Sequence, residues 1–482
     1  MNSYIYHSFA KHLRNIVLED NLGKYSGETL AFRSYDIAIS LLTSLEIKDL
    51  EEEPILMLLD NNFWHPVVFF GIWRAGGTAV PLNPAYTQTE IAHIAQDTGA
   101  RCIVVSQSLE KKLEGLPIQL KKIHVENVPK STSLHLPLPK FSVRRKALMI
   151  YTSGTTSKPK GVVHTHKSLG HQVRMLQKAW HWTANDRILN VLPLNHVHGI
   201  VNVLFCSLAS GAYTYMLPKF DAPKVWELFI ERNFTLFMAV PTIYYKLIEE
   251  YEKADKMTQQ KMTEACQKMR LMVSGSAALP LTVLERWKEI SGHVLLERYG
   301  MSETGMLLSN PYEGERKAGT VGLPLPNVKV KVVDEQGKKV KKGESGELWV
   351  KTKGVFAEYW RNEEATKNTF IRNWFKTGDF AVEDNDGYFK ILGRISTDIL
   401  KVGGYKVSAL EIEEAIRTHS SVIDCAVVGL DDEKWGEKVA AAIVSSREIT
   451  QEELQEWLKD KLAKYKIPAT VRFVKELPKN AL

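Results

Sequence analysis

Short runs of consecutive apolar residues, bounded by Gly, Pro, Asp or Ser, recur through the first half of the chain. PILMLLD (54–60), TAVPLNP (78–84), ARCIVVS (100–106), KALMIY (146–151), TLFMAVP (235–241) and RLMVSGS (270–276) are the clearest. Runs of this length and flanking chemistry predict buried strands. Segments such as EIAHIAQDTG (90–99) and PKVWELFIERN (223–233) separate them and read as helices. Strand and helix in alternation predict an α/β fold of layered, mostly parallel sheets. The stretch IVNVLFCSLASGAYTYMLP (200–218) has no charged residue, yet Ser207, Ser210 and Gly211 break it. A core helix, a turn and a buried strand are expected there rather than a membrane span.

The pattern changes twice. From about Lys329, VKVKVVD, GELWVK and GYFKILG alternate apolar and polar positions between Gly/Asp turns, which predicts a small β subdomain over about 320–393, closing a large N-terminal domain of 1–393. Beyond a polar stretch at Gly393–Asp398, ALEIEEAIRTHSSV, DCAVVGL, VAAAIVSS, TQEELQEWLKDKL and ATVRFVKEL alternate helix and strand. A small α+β C-terminal domain, 394–482, hung on a hinge, is the expectation. No internal repeat is visible.

Composition narrows the class without changing the fold. The 482 residues are 44% hydrophobic and 25% charged, as in ordinary globular proteins,. The formal charge of +7 is mild and spread out, with no massed basic patch or aromatic platform, so nucleic acid is not an expected partner,. Anionic substrates suffice to explain it. Cys102, Cys206, Cys266 and Cys425 lie far apart without metal-ligand spacing, so reduced thiols and a cytoplasmic setting are expected,. The opening MNSYIYHSFAKHLRNI has Lys11 and Arg14 before its first acid, a faint leader-like feature that keeps the mitochondrial matrix as the second compartment,.

The densest chemistry is in YTSGTTSKPKGVVHTH, from Tyr151 to His166. Hydroxyls, glycine-freed backbone N–H groups and the cations Lys158 and Lys160 make a donor-lined loop suited to polyphosphate. No Gly-Lys-Ser/Thr closes it and Val-Val follows Gly161, so it is not the loop of a P-loop kinase or GTPase.

That loop, ERYGMSETGM from Glu297, KTGD from Lys376, GRISTDILKVGGYKVSALEIE from Gly393 and the terminal LPKNAL stand in the order of the adenylate-forming superfamily, which the chain resembles over nearly all its length. The resemblance implies an ATP-dependent acid–CoA ligase that makes an acyl-adenylate, with ATP, Mg²⁺ and coenzyme A taking part. It assigns ATP contacts to Thr152, Ser153, Gly154, Thr155, Thr156 and Lys160, to Gly275, Ser276, Ala277 and Ala278 at the adenine edge, and to Tyr299, Gly300, Met301, Ser302, Asp379 and Arg394. Glu303 is the implied metal-linked carboxylate, and Lys160, His196, Glu303 and Arg394 the implied catalytic set. Attack of a carboxylate on the α-phosphate brings two anions together, which is why cations and donors are needed there. Lys401, Gly403, Gly404 and Tyr405 are the implied CoA tunnel, and Ser396 and Thr397 stand at the hinge where Asp or Lys is usual.

The acid is addressed by Arg298, where fatty-acyl members commonly carry a small or apolar residue. A buried guanidinium calls for a carboxylate partner. With LPLNHVHG and GGYKVSALE, the closest resemblance is to malonyl- and methylmalonyl-CoA synthetases, and Arg298, Ser276, His196 and His198 are the expected acid-binding residues. Three alternatives stay open: a salt bridge of Arg298 with Glu297, or with another acid, at the strand's outside, a medium- or long-chain fatty acyl-CoA synthetase, and a non-catalytic nucleotide-binding relative. LPKNAL stops where the family motif goes on to Gly-Lys; a chain without that lysine is expected to adenylate slowly and still form thioester. The acid itself and the oligomeric state are not specified by the residues.

Overall fold

The computed structural model describes residues 3–131, 137–152, 159–403, 405–432 and 436–478. The predicted strands form, and pair as buried parallel strands do. Pro54–Leu58, Thr78–Pro81, Cys102–Val105, Lys121–His124 and Lys146–Thr152 run parallel in one sheet, which Lys160–Thr165 and the two-residue strand Glu358–Tyr359 extend antiparallel at one edge. A second sheet has Ile16–Asp20, Tyr213–Met216, Arg187–Asn190, Leu236–Ala239, Leu271–Ser274 and Leu296–Met301 in parallel; antiparallel Gly305–Ser309 and Leu323–Pro324 extend one edge and Gly23–Ser26 the other. A large apolar core lies between these layers and their helices, with Trp73, Trp180, Trp226 and Trp287 among its fully buried side chains, and a smaller cluster around Leu56, Leu58, Ile103 and Met149 lies apart from it.

The uncharged 200–218 stretch folds as expected into helix, turn and strand: His198–Phe205 is a π-helix, Cys206–Ser210 continues it as α-helix, Gly211 caps it in the left-handed region (φ 69) and Tyr213–Met216 enters the sheet. Among the described residues no helix is long and apolar enough to cross a membrane.

The β texture beyond Lys329 becomes an antiparallel sheet of Lys329–Val333, Ser345–Lys351, Trp374–Glu383, Phe370–Ile371 and Phe389–Arg394. The last segment forms its own sheet, Tyr405–Ser408, Ile399–Val402, Gly436–Ser445, Val422–Asp432 and Thr470–Phe473, with its own core of Leu400, Val407, Ile412, Ile416, Ile443 and Leu454. The turn after Phe389–Arg394 joins them, with Ser396 and Thr397 exposed at its tip. Asp398 closes it by accepting from the Arg394 N–H at 2.9 Å and the Thr397 hydroxyl at 2.9 Å. Gly393 (φ 131) is required, because a Cβ there would lie 2.6 Å from Asp398 Cβ,.

Candidate active site

Strand Leu296–Met301 organises the site because successive side chains point to opposite faces. Its parallel pairing sets Glu297 beside Ser274, which leaves Arg298 on the other face. The Glu297–Arg298 salt bridge left open by the sequence does not form. Arg298 is 4% exposed and, among the described residues, has no carboxylate partner. Its guanidinium lies flat against Gly275, where a Cβ would come within 2.5 Å of Cζ. Nη2 donates to the Ser276 hydroxyl at 3.3 Å, and that oxygen is 3.2 Å from His198 Nδ1. Ser276 is held at φ 74, a left-handed conformation uncommon outside glycine,. Three expected acid-binding residues, Arg298, Ser276 and His198, are thus brought together. His196 adjoins them through chain position, its Nε2 3.2 Å from Asn195 Nδ2.

Burial dominates the electrostatics of this pocket. It pulls the Arg298 guanidinium from 12.5 down to about 9. His198 is held well below the usual histidine range, first by burial and then by the charges of Arg298 and His196. Burial also lowers His196. Arg298 Nε and His198 Nε2 are both buried without a hydrogen-bond partner. An unmet cation lined with neutral imidazole is a receptor for an anion, since such groups are costly until paired.

On the nucleotide side, Tyr299 donates its hydroxyl to Asp379 Oδ2. Asp379 and Arg394 oppose each other across two strands, and Arg394 Nε stands 3.7 Å from Asp379 Oδ1. Burial raises the Asp379 carboxyl above its usual value against the pull of Tyr299 and Arg394. Gly275 is buried while Ser276, Ala277 and Ala278 are exposed, so their backbone is open to a ligand edge. Gly300 must lack a side chain: a Cβ there would meet the Gly305 carbonyl at 2.3 Å. Met301 ends the strand half-buried.

Beyond the strand, Glu303 is 9% exposed and its Oε1 accepts from the Tyr359 hydroxyl at 2.8 Å. Lys160 Nζ lies 5.5 Å from the centre of the Tyr359 ring, so Lys160 and Glu303 meet across this tyrosine. Burial, then Glu303, raises the Tyr359 phenol, which stays a donor. Ser302 is fixed through its carbonyl, which accepts from His164 Nε2 at 2.7 Å, and His164 Nδ1 is 3.2 Å from Ser168 Oγ. Burial holds His164 down to about 4, so the ring is neutral and carries its hydrogen on Nε2. Sequence reasoning missed both Tyr359 and His164. The signal for His164 was present: a histidine inside the apolar run GVVHTH.

Thr152 ends its strand opposite Lys160. Ser153, Gly154, Thr155 and Thr156 lie outside the described residues, as does Gly404. Lys401, Gly403 and Tyr405 are not brought to the acid pocket. They sit at the hairpin of the last domain, where the Lys401 N–H is held by Glu437, Gly403 takes φ 59 and Tyr405, 59% exposed, stacks on Tyr465 at 4.7 Å. Lys406 Nζ ties this hairpin to Glu335, in the turn after Lys329–Val333, at 2.9 Å. Among the described residues no cluster of three His, Cys, Asp or Glu could enclose a metal.

Comparison with known proteins shows the family. The AMP-binding enzyme family matches residues 7–360, and the AMP-binding enzyme C-terminal domain matches residues 411–482. The chain is 41% identical to the human mitochondrial malonate–CoA ligase ACSF3 over 97% of its own length and 88% of that protein. It is 42% identical to the malonate–CoA ligase of Arabidopsis thaliana over 86% of its length and 73% of that protein. Among solved structures, ATP-bound MatB from Rhodopseudomonas palustris superposes with a TM-score of 0.89 at 30% identity, covering 99% of this chain and 96% of that one.

Proposed function

We propose that this chain, which belongs to the AMP-binding enzyme family and is an adenylate-forming acid–CoA ligase, activates a short dicarboxylic acid, malonate or its methyl derivative. The observation that carries the acid class is Arg298, a buried cation with no counter-ion among the described residues and a free N–H. A distal carboxylate would supply the missing charge and accept from Arg298. The relatives named malonate–CoA ligase support the same reading. A fatty-acid chain would leave the guanidinium unpaired in an apolar surround, which disfavours the fatty acyl-CoA alternative.

In this reading the proximal carboxylate oxygen attacks the α-phosphate of ATP, pyrophosphate leaves, and the CoA thiol then displaces AMP from the acyl carbon. Lys160 would neutralise phosphate charge, and His196 would stand near the reacting carboxylate. Asp379 and Arg394 would hold the ribose, with Tyr299 orienting Asp379 by its hydroxyl and offering its ring to the adenine. Glu303 fits Mg²⁺: one oxygen is engaged by Tyr359 and the other is left for a hard cation that takes its remaining ligands from phosphate and water,. When bound, the ion would screen the phosphate charges. Lys401, Gly403, Gly404 and Tyr405 would line the pantetheine path after the last domain turns about Ser396 and Thr397.

Four free cysteines, all buried, fit a reducing compartment; we place the protein in the cytoplasm, with the mitochondrial matrix as the alternative, ACSF3 being named mitochondrial. A panel of malonate, methylmalonate, succinate, butyrate and octanoate scored by AMP release tests the substrate class. Turnover confined to the diacids is expected. Preference for octanoate would reject the reading.

A further inference from the structure

The helix that carries His198 holds a second buried polar side chain left unmet. Asn202 is 1% exposed, and neither its Nδ2 nor its Oδ1 has a hydrogen-bond partner. Buried amides are nearly always satisfied, so a side chain orphaned at both ends is a position prepared for something that arrives. Asn202 lies four residues after His198 in the π-helix His198–Phe205. Hydrogen bonds in such a helix close from i to i+5, so residues four apart stand nearly one above the other, and π segments recur at functional sites. Asn202 is therefore one turn further along the face that carries His198.

The hydrogen bonds around His198 have a direction. Arg298 Nη2–H donates to Ser276 Oγ, which leaves the serine hydrogen free for His198 Nδ1. His198 is neutral, so its ring hydrogen goes to Nε2, the atom without a partner. Three unfilled donors result: Arg298 Nε, His198 Nε2 and Asn202 Nδ2. An ionised carboxylate accepts only, at about four sites, and matches these three donors, Asn202 Oδ1 being the one unmet acceptor beside them,.

We propose that Asn202 is a specificity-determining residue whose side-chain amide donates to the distal carboxylate of the substrate, beside Arg298 and the Nε2–H of His198. This rests on the diacid reading of the site. One water carried in with the carboxylate satisfies the amide oxygen, as bridging waters commonly do in polar sites. Asn202 thereby sets both the charge and the reach of the acid's far end.

The test is kcat/KM of the full chain, by AMP release, for malonate and for 3-methylbutyrate, its isostere with an uncharged isopropyl group. Asn202→Asp places a carboxylate of the protein's own in the distal pocket. It is expected to cost malonate about 30-fold or more, through KM, and to raise turnover of 3-methylbutyrate because Arg298 then has a built-in counter-ion. Asn202→Ala removes one donor without adding charge, and about a 5- to 10-fold rise in malonate KM is expected, larger than any effect on 3-methylbutyrate. Should the Asp variant fail to fold, the Ala variant decides. Equal changes on the two acids, or no change on either, overturn the proposal. If Arg298→Met discriminates between the acids while neither Asn202 variant does, the diacid reading survives and this inference falls. If Arg298→Met does not discriminate, both fall.

Discussion

Replacing Arg298 with Met should make the protein more stable and its acid recognition worse. Burial brings the guanidinium from 12.5 to about 9. Its folded form binds its proton less tightly than the unfolded chain does, so at every pH below about 9 the folded state carries the full penalty. That penalty is relieved only as pH rises from about 9 towards 12.5. Converted at about 1.4 kcal/mol per pH unit, it amounts to roughly 5 kcal/mol at neutral pH as a ceiling. Met keeps much of the apolar stem against Gly275 and forfeits the bond to Ser276 Oγ, a loss of about 1 kcal/mol,. Replacing buried ion pairs by apolar residues has given gains of about 1–4 kcal/mol, and a gain in that range is expected here, where no carboxylate loses its partner. Urea unfolding at pH 7.5 should show the midpoint move up at unchanged slope. The same variant should lose about 2–5 kcal/mol of transition-state binding for malonate, some 30-fold or more in kcat/KM. Its activity on 3-methylbutyrate should rise or hold. A variant that is less stable, or that loses both acids alike, would show Arg298 to be a structural residue and refute the reasoning.

Glu303→Gln keeps the bond from Tyr359 but removes the charge offered to Mg²⁺; ATP–pyrophosphate exchange should fall by about 10²-fold relative to the unsubstituted chain, with thioester formation from preformed malonyl-adenylate much less affected,. Gly404→Leu should do the reverse, keeping pyrophosphate exchange and losing acyl-CoA, and equal loss of both half-reactions would count against a two-conformation cycle. Glu297 is raised by burial from 4.5 to about 8, so the folded state holds its proton and stability falls as pH rises from about 4.5 to about 8; Glu297→Gln should flatten that slope and raise the unfolding midpoint at pH 9, and an unchanged pH profile would place the carboxyl in water,.

What could be read in the sequence is what depends on neighbours in the chain. Buried parallel strands are apolar on both faces, so TLFMAVP and RLMVSGS announce themselves, and the ERYGMSETGM and KTGD motifs keep their chemistry within a few residues. Tyr359 was out of reach for a physical reason. It belongs to a strand of two residues, Glu358–Tyr359, too short to carry any periodicity, and it reaches Glu303 and Lys160 only because that strand pairs with Val162 and Val163. The Arg298–Glu297 alternative failed for a simpler reason, available in principle from the alternation of a strand: adjacent residues face apart,. Asn202 gave no signal at all, being one polar letter in an uncharged helix whose π geometry appears only in three dimensions.

The pocket's selectivity follows from what it leaves unmet. Neutral His198 and a polarised Ser276 lower the cost of keeping Arg298 charged, yet none of them cancels the charge. A monocarboxylate that binds here gains its contacts at the phosphate end but buries an unpaired guanidinium and two orphan donors at the other. Sites built to hydrogen-bond a substrate group reject analogues that lack it by about 10⁴–10⁵, far more than a missing methylene in an apolar pocket achieves. A ligase arranged this way can therefore discriminate against abundant monoacids at the first half-reaction, without editing, and its discrimination should collapse stepwise as Asn202, then Arg298, is made apolar. Non-additivity is the signature to seek in the double variant: because both residues face one carboxylate, Asn202→Ala should cost malonate markedly less in the Arg298→Met background than in the parent. Equal costs in the two backgrounds would mean that Asn202 and Arg298 do not share a ligand.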